Sequence, residues 1–95
     1  MKQVIYMDNA ATTKTRPEVV KAMLPYFTER YGNPSSIYDF STESKRAVSH
    51  ARETIAKSLG AQTNEIYFTA GGSEADNWAL IATAEAYEGK GKHII

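Results

Sequence analysis

The stretch Glu65-Ile66-Tyr67-Phe68-Thr69-Ala70-Gly71-Gly72-Ser73-Glu74-Ala75-Asp76-Asn77 decides how this chain is read. Glu65 to Thr69 is rich in β-branched and aromatic residues and predicts a strand. Ala70-Gly71-Gly72-Ser73 is a tight turn. Beyond it a helix is expected over about 73–87, carrying Trp78, Leu80, Ile81, Ala84 and Tyr87 among alanines that permit close packing. Gly89-Lys90-Gly91 ends that helix, and Lys92-His93-Ile94-Ile95 starts a second strand. Strand, glycine turn, helix and strand in this order open a βαβ unit, so the predicted fold class is α/β with a parallel sheet. A parallel strand is buried on both faces, and two strands make a poor sheet. The expectation is therefore of the beginning of an α/β domain, left incomplete in this chain.

The preceding segments supply helices and turns. Gln3 to Met7 is a short apolar patch, too short to assign, and Asp8 to Lys14 has no clear period and reads as an extended or looped arm. Thr15 and Glu18 have capping-box spacing, and Pro17 falls in the first turn of a helix expected over about 16–24. Pro25 breaks the pattern of Val19, Val20, Met23, Leu24 and Phe27, so a kink or a fresh turn should run on to about 30. Tyr31-Gly32-Asn33-Pro34-Ser35-Ser36 is turn chemistry. Another helix should begin near Ser41 or Thr42, with Val48, Ala51, Ile55 and Leu59 on one face, Glu53 and Lys57 as an i,i+4 ion pair, and Gly60 as its terminating residue.

Composition excludes several classes of function. Eleven Lys and Arg balance eleven Asp and Glu, which argues against a protein that coats nucleic acid or an anionic membrane. No apolar run approaches the roughly 20 residues of a membrane span. The start, MKQVIYMDNA, lacks the apolar stretch of a secretory signal, so a cytoplasmic protein is expected. The absence of cysteine rules out a disulfide framework, a zinc ribbon and a cysteine nucleophile within these 95 residues. His50, near Arg46 on a helix, and His93, in the second strand, have no accompanying metal-ligand spacing and read as structural, so no metal site is expected.

The chemistry concentrates at the glycine turn. A strand running through glycines into a helix exposes unpaired backbone N–H groups at the positive end of the helix dipole, which is an anion-binding geometry. Gly71 and Gly72 allow close approach, and the Ser73 hydroxyl can add a hydrogen bond. The spacing matches neither G-x-G-x-x-G nor a G-K-[ST] loop. The plainer reading is that Ser73 caps the helix with Asp76 completing a capping box, using the same N–H groups. Glu74 and Asp76 suit the dipole but repel a phosphate, which then needs a cation from elsewhere. Asn9-Ala10-Ala11-Thr12-Thr13 and Gly32-Asn33-Pro34-Ser35-Ser36 read as loops that could edge a pocket.

Asp8-Asn9-Ala10-Ala11-Thr12-Thr13, Gly32-Asn33-Pro34-Ser35-Ser36 and Phe68-Thr69-Ala70-Gly71-Gly72-Ser73-Glu74-Ala75-Asp76-Asn77, in this order and spacing, resemble the N-terminal signature of NifS-like cysteine desulfurases. The resemblance implies an enzyme of the class V aminotransferase group that uses pyridoxal 5'-phosphate (PLP), with the fold type I architecture. On it, residues 1–14 would be an arm contributing to a small domain, and residues 15–95 the start of the PLP-binding large domain. Gly71, Gly72 and Ser73 would hold the cofactor phosphate. The whole enzyme would be a homodimer converting L-cysteine to L-alanine and an enzyme-bound persulfide, passed to a sulfur-acceptor or iron–sulfur scaffold protein. The Schiff-base lysine, the Asp facing the pyridinium nitrogen, the stacking His and the persulfide cysteine would lie downstream, so no catalytic residue falls in this chain, which should be inactive alone. Lys90 and Lys92 belong to a turn and are not candidates for the Schiff base. Two departures stand out: the family most often has Thr at the place of Ser73, which keeps the hydroxyl, and many members have His near Tyr38. The alternatives are another class V enzyme, such as an aminotransferase or selenocysteine lyase, or a non-catalytic α/β module whose Gly-Gly turn only caps a helix.

Overall fold

A computed structural model describes residues 3–95. The chain divides into two compact units, Met1–Ala51 and Arg52–Ile95, with the division inside one helix. The regular elements are α1 (Pro17–Met23), α2 (Pro25–Thr28), a 3-10 turn (Asp39–Ser41), α3 (Thr42–Leu59), a second 3-10 turn (Thr63–Glu65) and α4 (Gly72–Ala86).

In the first unit the arm folds on itself: the Ala11 N–H donates to the Asp8 carbonyl at 3.1 Å, and the Tyr6 hydroxyl to the same carbonyl at 2.8 Å. α1 begins at Pro17, as its ring dictates, but its N-cap is Arg16, without a side-chain cap. The Thr15 capping box is therefore not formed; Glu18 instead lies 3.6 Å from Arg16, an exposed pair of little energetic weight. Pro25 has no N–H to continue the ladder, so α1 stops and α2 restarts as a single turn, closed by Glu29 N–H to the Pro25 carbonyl at 2.9 Å.

The loop after α2 is closed at its base. Gly32 passes so near the later chain that a Cβ there would sit 2.8 Å from the Phe40 carbonyl oxygen and 2.9 Å from the Ser41 Cα. Around this approach the Ser44 hydroxyl donates to the Arg30 carbonyl at 2.9 Å, Arg30 meets Glu43 at 3.2 Å, and the Tyr31 and Phe40 rings meet edge-on with centroids 5.0 Å apart. Ser41 and Ser44 are buried there. Within the loop the Asn33 side chain accepts from Ser35 N–H at 2.9 Å, and the Asn33 carbonyl from Ser36 N–H at 3.0 Å.

In the second unit α3 ends as its sequence predicts. Gly60 takes φ 67°, its N–H donates to the Lys57 carbonyl at 3.3 Å, and Ala61 N–H to the Ala56 carbonyl at 2.9 Å. This pair of bonds is a Schellman motif. Glu53 and Lys57 form no ion pair; among the described residues Arg16–Glu18 and Arg30–Glu43 do.

The expected strands are the main correction. The stretch from Ile66 to Thr69 has no helical assignment, and Ile66 has extended dihedrals of −100° and 123°, but no strand forms among the described residues. A strand exists only by pairing, and residues 92–95, the other candidate, take no regular structure. The described residues thus show no βαβ unit. What fixes the 66–69 segment is a side chain: the Arg52 Nε–H donates to the Ile66 carbonyl at 3.2 Å, and its guanidinium lies 5.1 Å from the centre of the Phe68 ring. The Tyr67 ring meets Trp78 of α4 edge-on at 5.2 Å.

Burial is sparse. Ala56, at 2% exposure, is the buried apolar residue among those described. Ile55 and Leu59 on the expected core face of α3 are exposed, as are Trp78, Leu80 and Ile81 of α4. Trp78 and Leu80 project about 160° apart around a helix of 3.6 residues per turn. A helix apolar on opposite sides has the pattern of one meant to be covered on both.

Candidate functional site

The sequence-predicted residues Gly71, Gly72 and Ser73 come together at the start of α4. Gly71 is the N-cap, Gly72 the first helical residue and Ser73 the second. The first bond of the helix runs from Ala75 N–H to the Gly71 carbonyl at 3.2 Å. The N–H groups of Gly71, Gly72, Ser73 and Glu74 donate to no acceptor among the described residues. These are the four donors that any helix leaves open at its start. A Cβ at Gly71 or at Gly72 would meet nothing within 4 Å, so there is open space beside both glycines.

Ser73 does not cap the helix, and no capping box with Asp76 forms; α4 has no side-chain hydrogen bond at its N-cap. The Ser73 carbonyl accepts from the Asn77 amide at 2.8 Å, whereas no partner is recorded for its hydroxyl. The competition for the N–H groups anticipated from sequence is thereby resolved in favour of open donors.

Two neighbours that sequence reasoning did not assign to the turn hold it in shape. The Glu74 carboxylate accepts from Ala70 N–H at 2.7 Å, and the Thr69 hydroxyl donates to the Gly71 carbonyl at 3.1 Å. The available signal was spacing: a carboxylate four residues after Ala70 can reach back over one helical turn.

The other quoted segments, Asn9–Thr13 and Asn33–Ser36, belong to the first unit, where they form the hydrogen-bonded turns described above. Among the described residues no group of three or more His, Cys, Asp or Glu side chains gathers to hold a metal ion, and no helix is long and apolar enough to cross a membrane. Along its flank α4 borders a shallow groove of about 520 Å³ lined by Tyr67, Ala75, Trp78, Ala82 and Tyr87. Its lining is mostly apolar, with Glu65, Thr69 and Thr83 adding a carboxylate and two hydroxyls.

The start of α4 thus presents four open N–H groups, two glycines without side chains and the Ser73 hydroxyl side by side. The profile of the Aminotransferase class-V family matches residues 5–95, and the chain belongs to that family. It is 59% identical over all 95 residues to the cysteine desulfurase IscS of Clostridium botulinum (strain Kyoto / Type A2), and 59% identical over 93 residues to the cysteine desulfurase IscS of Methanosarcina thermophila. It spans 24% and 23% of these two relatives, about a quarter of their length. A solved structure described as a NifS-like protein superimposes with a TM-score of 0.83 at 38% identity, covering 90% of this chain and 24% of that one.

Proposed function

We propose that this chain is the first quarter of a PLP-dependent cysteine desulfurase and supplies part of its cofactor-phosphate site. The observation that carries the proposal is the 59% identity, across the whole chain, to proteins named as cysteine desulfurases. The phosphate role is supported by the open start of α4: N–H groups of Gly71, Gly72 and Ser73 with the Ser73 hydroxyl match the acceptor oxygens of a phosphate ester. The residues present fit that end of the cofactor. When bound, PLP supplies an electron sink that weakens bonds at the substrate α-carbon.

This chain's own contribution is to bind and orient. The N–H groups of Gly71, Gly72 and Ser73 and the Ser73 hydroxyl would hold the phosphate end. They do so without a positive side chain, so the residual phosphate charge needs a cation from outside this segment. The reaction proposed for the whole protein takes the sulfur of L-cysteine onto an enzyme thiol, leaving L-alanine and a persulfide; hydrogen and sulfur balance, since the thiol proton remains on the persulfide. No residue here supplies that thiol, because the chain has no cysteine. A cytoplasmic homodimer that hands sulfur to an acceptor or iron–sulfur scaffold protein completes the proposal.

The test is the full-length protein loaded with PLP and given L-cysteine. Stoichiometric alanine and reducible sulfur are expected. Alanine formed only from selenocysteine, or transamination without sulfur release, would replace the proposal by one of the other class V activities. Ser73→Ala should weaken PLP binding about tenfold, the worth of one hydrogen bond to a charged group. Unchanged PLP affinity in that variant removes Ser73 from the site.

A further inference from the structure

We infer that Glu74 is a positioning residue of the phosphate cradle, an inference that rests on the proposed function of the α4 start. Glu74 is the third residue of α4. A glutamate at that place ordinarily folds back onto the N-cap N–H, which here would consume the Gly71 donor and put a carboxylate where an anion should sit. It does neither. Its Oε2 accepts from the N–H of Ala70, one residue upstream of the N-cap, at 2.7 Å. That bond reaches past the glycine turn, and it leaves the donors of Gly71, Gly72, Ser73 and Glu74 open. From the other side the Thr69 hydroxyl holds the Gly71 carbonyl at 3.1 Å, the same carbonyl that receives the first helical bond. Two side chains on either side of Gly71-Gly72 thus restrain a turn whose glycines have no side chains to restrain themselves.

The carboxylate has two opposed effects on a bound phosphate. Its hydrogen bond pre-organises the donors, which favours binding. Its negative charge, held on the N–H of the residue before Gly71, disfavours it. Glutamine separates the two, because its amide oxygen can accept the same bond from Ala70 without the charge.

The experiment measures PLP dissociation constants of the full-length protein as wild type, Glu74→Gln and Glu74→Ala, each beside pyridoxal, which lacks the phosphate. Glu74→Ala should bind PLP about tenfold more weakly. Glu74→Gln should bind it at least as tightly as wild type. Pyridoxal affinity should be the same in all three proteins, a result that a general loss of structure would not give. The inference is overturned by wild-type PLP affinity in Glu74→Ala, by weaker PLP binding in Glu74→Gln, or by an equal loss for pyridoxal. If Glu74→Ala does not fold, the glutamine variant decides alone. If the wild-type protein binds pyridoxal and PLP equally, the phosphate site itself is wrong, a failure distinct from that of Glu74.

Discussion

Gly32→Ala is the substitution whose cost follows most directly from the coordinates. The added Cβ would lie 2.8 Å from the Phe40 carbonyl oxygen, 2.9 Å from the Ser41 Cα and 3.0 Å from the Ser41 Oγ. Ordinary contact begins at 3.4 Å, so the two chain segments must separate by about 0.6 Å. The first two contacts are backbone, and no rotamer change relieves them. A shift of that size would stretch the Ser44–Arg30 hydrogen bond from 2.9 Å to about 3.5 Å, the limit of usefulness. Overpacking of this kind costs about 2 kcal/mol, within the usual span of 1–3. Native-state hydrogen exchange of the full-length protein reads the loss locally. The Ser36 amide bonds Asn33 and the Ser41 amide bonds Tyr38 inside the closed loop. Their exchange should speed up about thirtyfold in the variant. Gly89→Ala, where a Cβ meets nothing within 4 Å, is the control. A change of less than threefold at both amides would show that the Gly32 approach does not hold the loop closed.

Gly60→Ala forces a side chain into the left-handed region, φ 67°, and should lower stability by about 1 kcal/mol in a denaturant titration; no loss would mean that α3 can end without that conformation. The 95-residue chain on its own, with Ala56 as its buried apolar residue among those described, should bind the dye ANS and melt without a cooperative transition; a sharp two-state melt would refute the view that its apolar faces need cover.

Helix positions were legible in the sequence because their determinants are local. Pro17, Pro25 and Gly60 mark helix boundaries through ring geometry and positive φ, and the structure keeps all three. The placement of Gly71, Gly72 and Ser73 at the start of a helix was legible for the same reason. The strands were not, since residues 66–69 carry strand propensity but a ladder requires a neighbour. Capping was misassigned at both Thr15 and Ser73, where a hydroxyl at the right spacing lost to another arrangement: at Arg16 the chain enters the helix without a cap, and at Gly71 the reach of Glu74 to Ala70 shifts the closure upstream. The Gly32 approach depends on residues eight and nine positions later, which no short motif announces.

The two-sided apolar surface of α4 has a consequence for how the protein is made. On the proposed reading, a relative-sized chain has roughly 300 residues still to be translated when Ile95 is joined to it, since this segment is 24% of such a relative. At about 5–20 residues per second, that takes roughly 15–60 s. Trp78, Leu80 and Ile81 therefore spend that interval uncovered on a nascent chain. This is long compared with hydrophobic collapse and ample for chaperone capture.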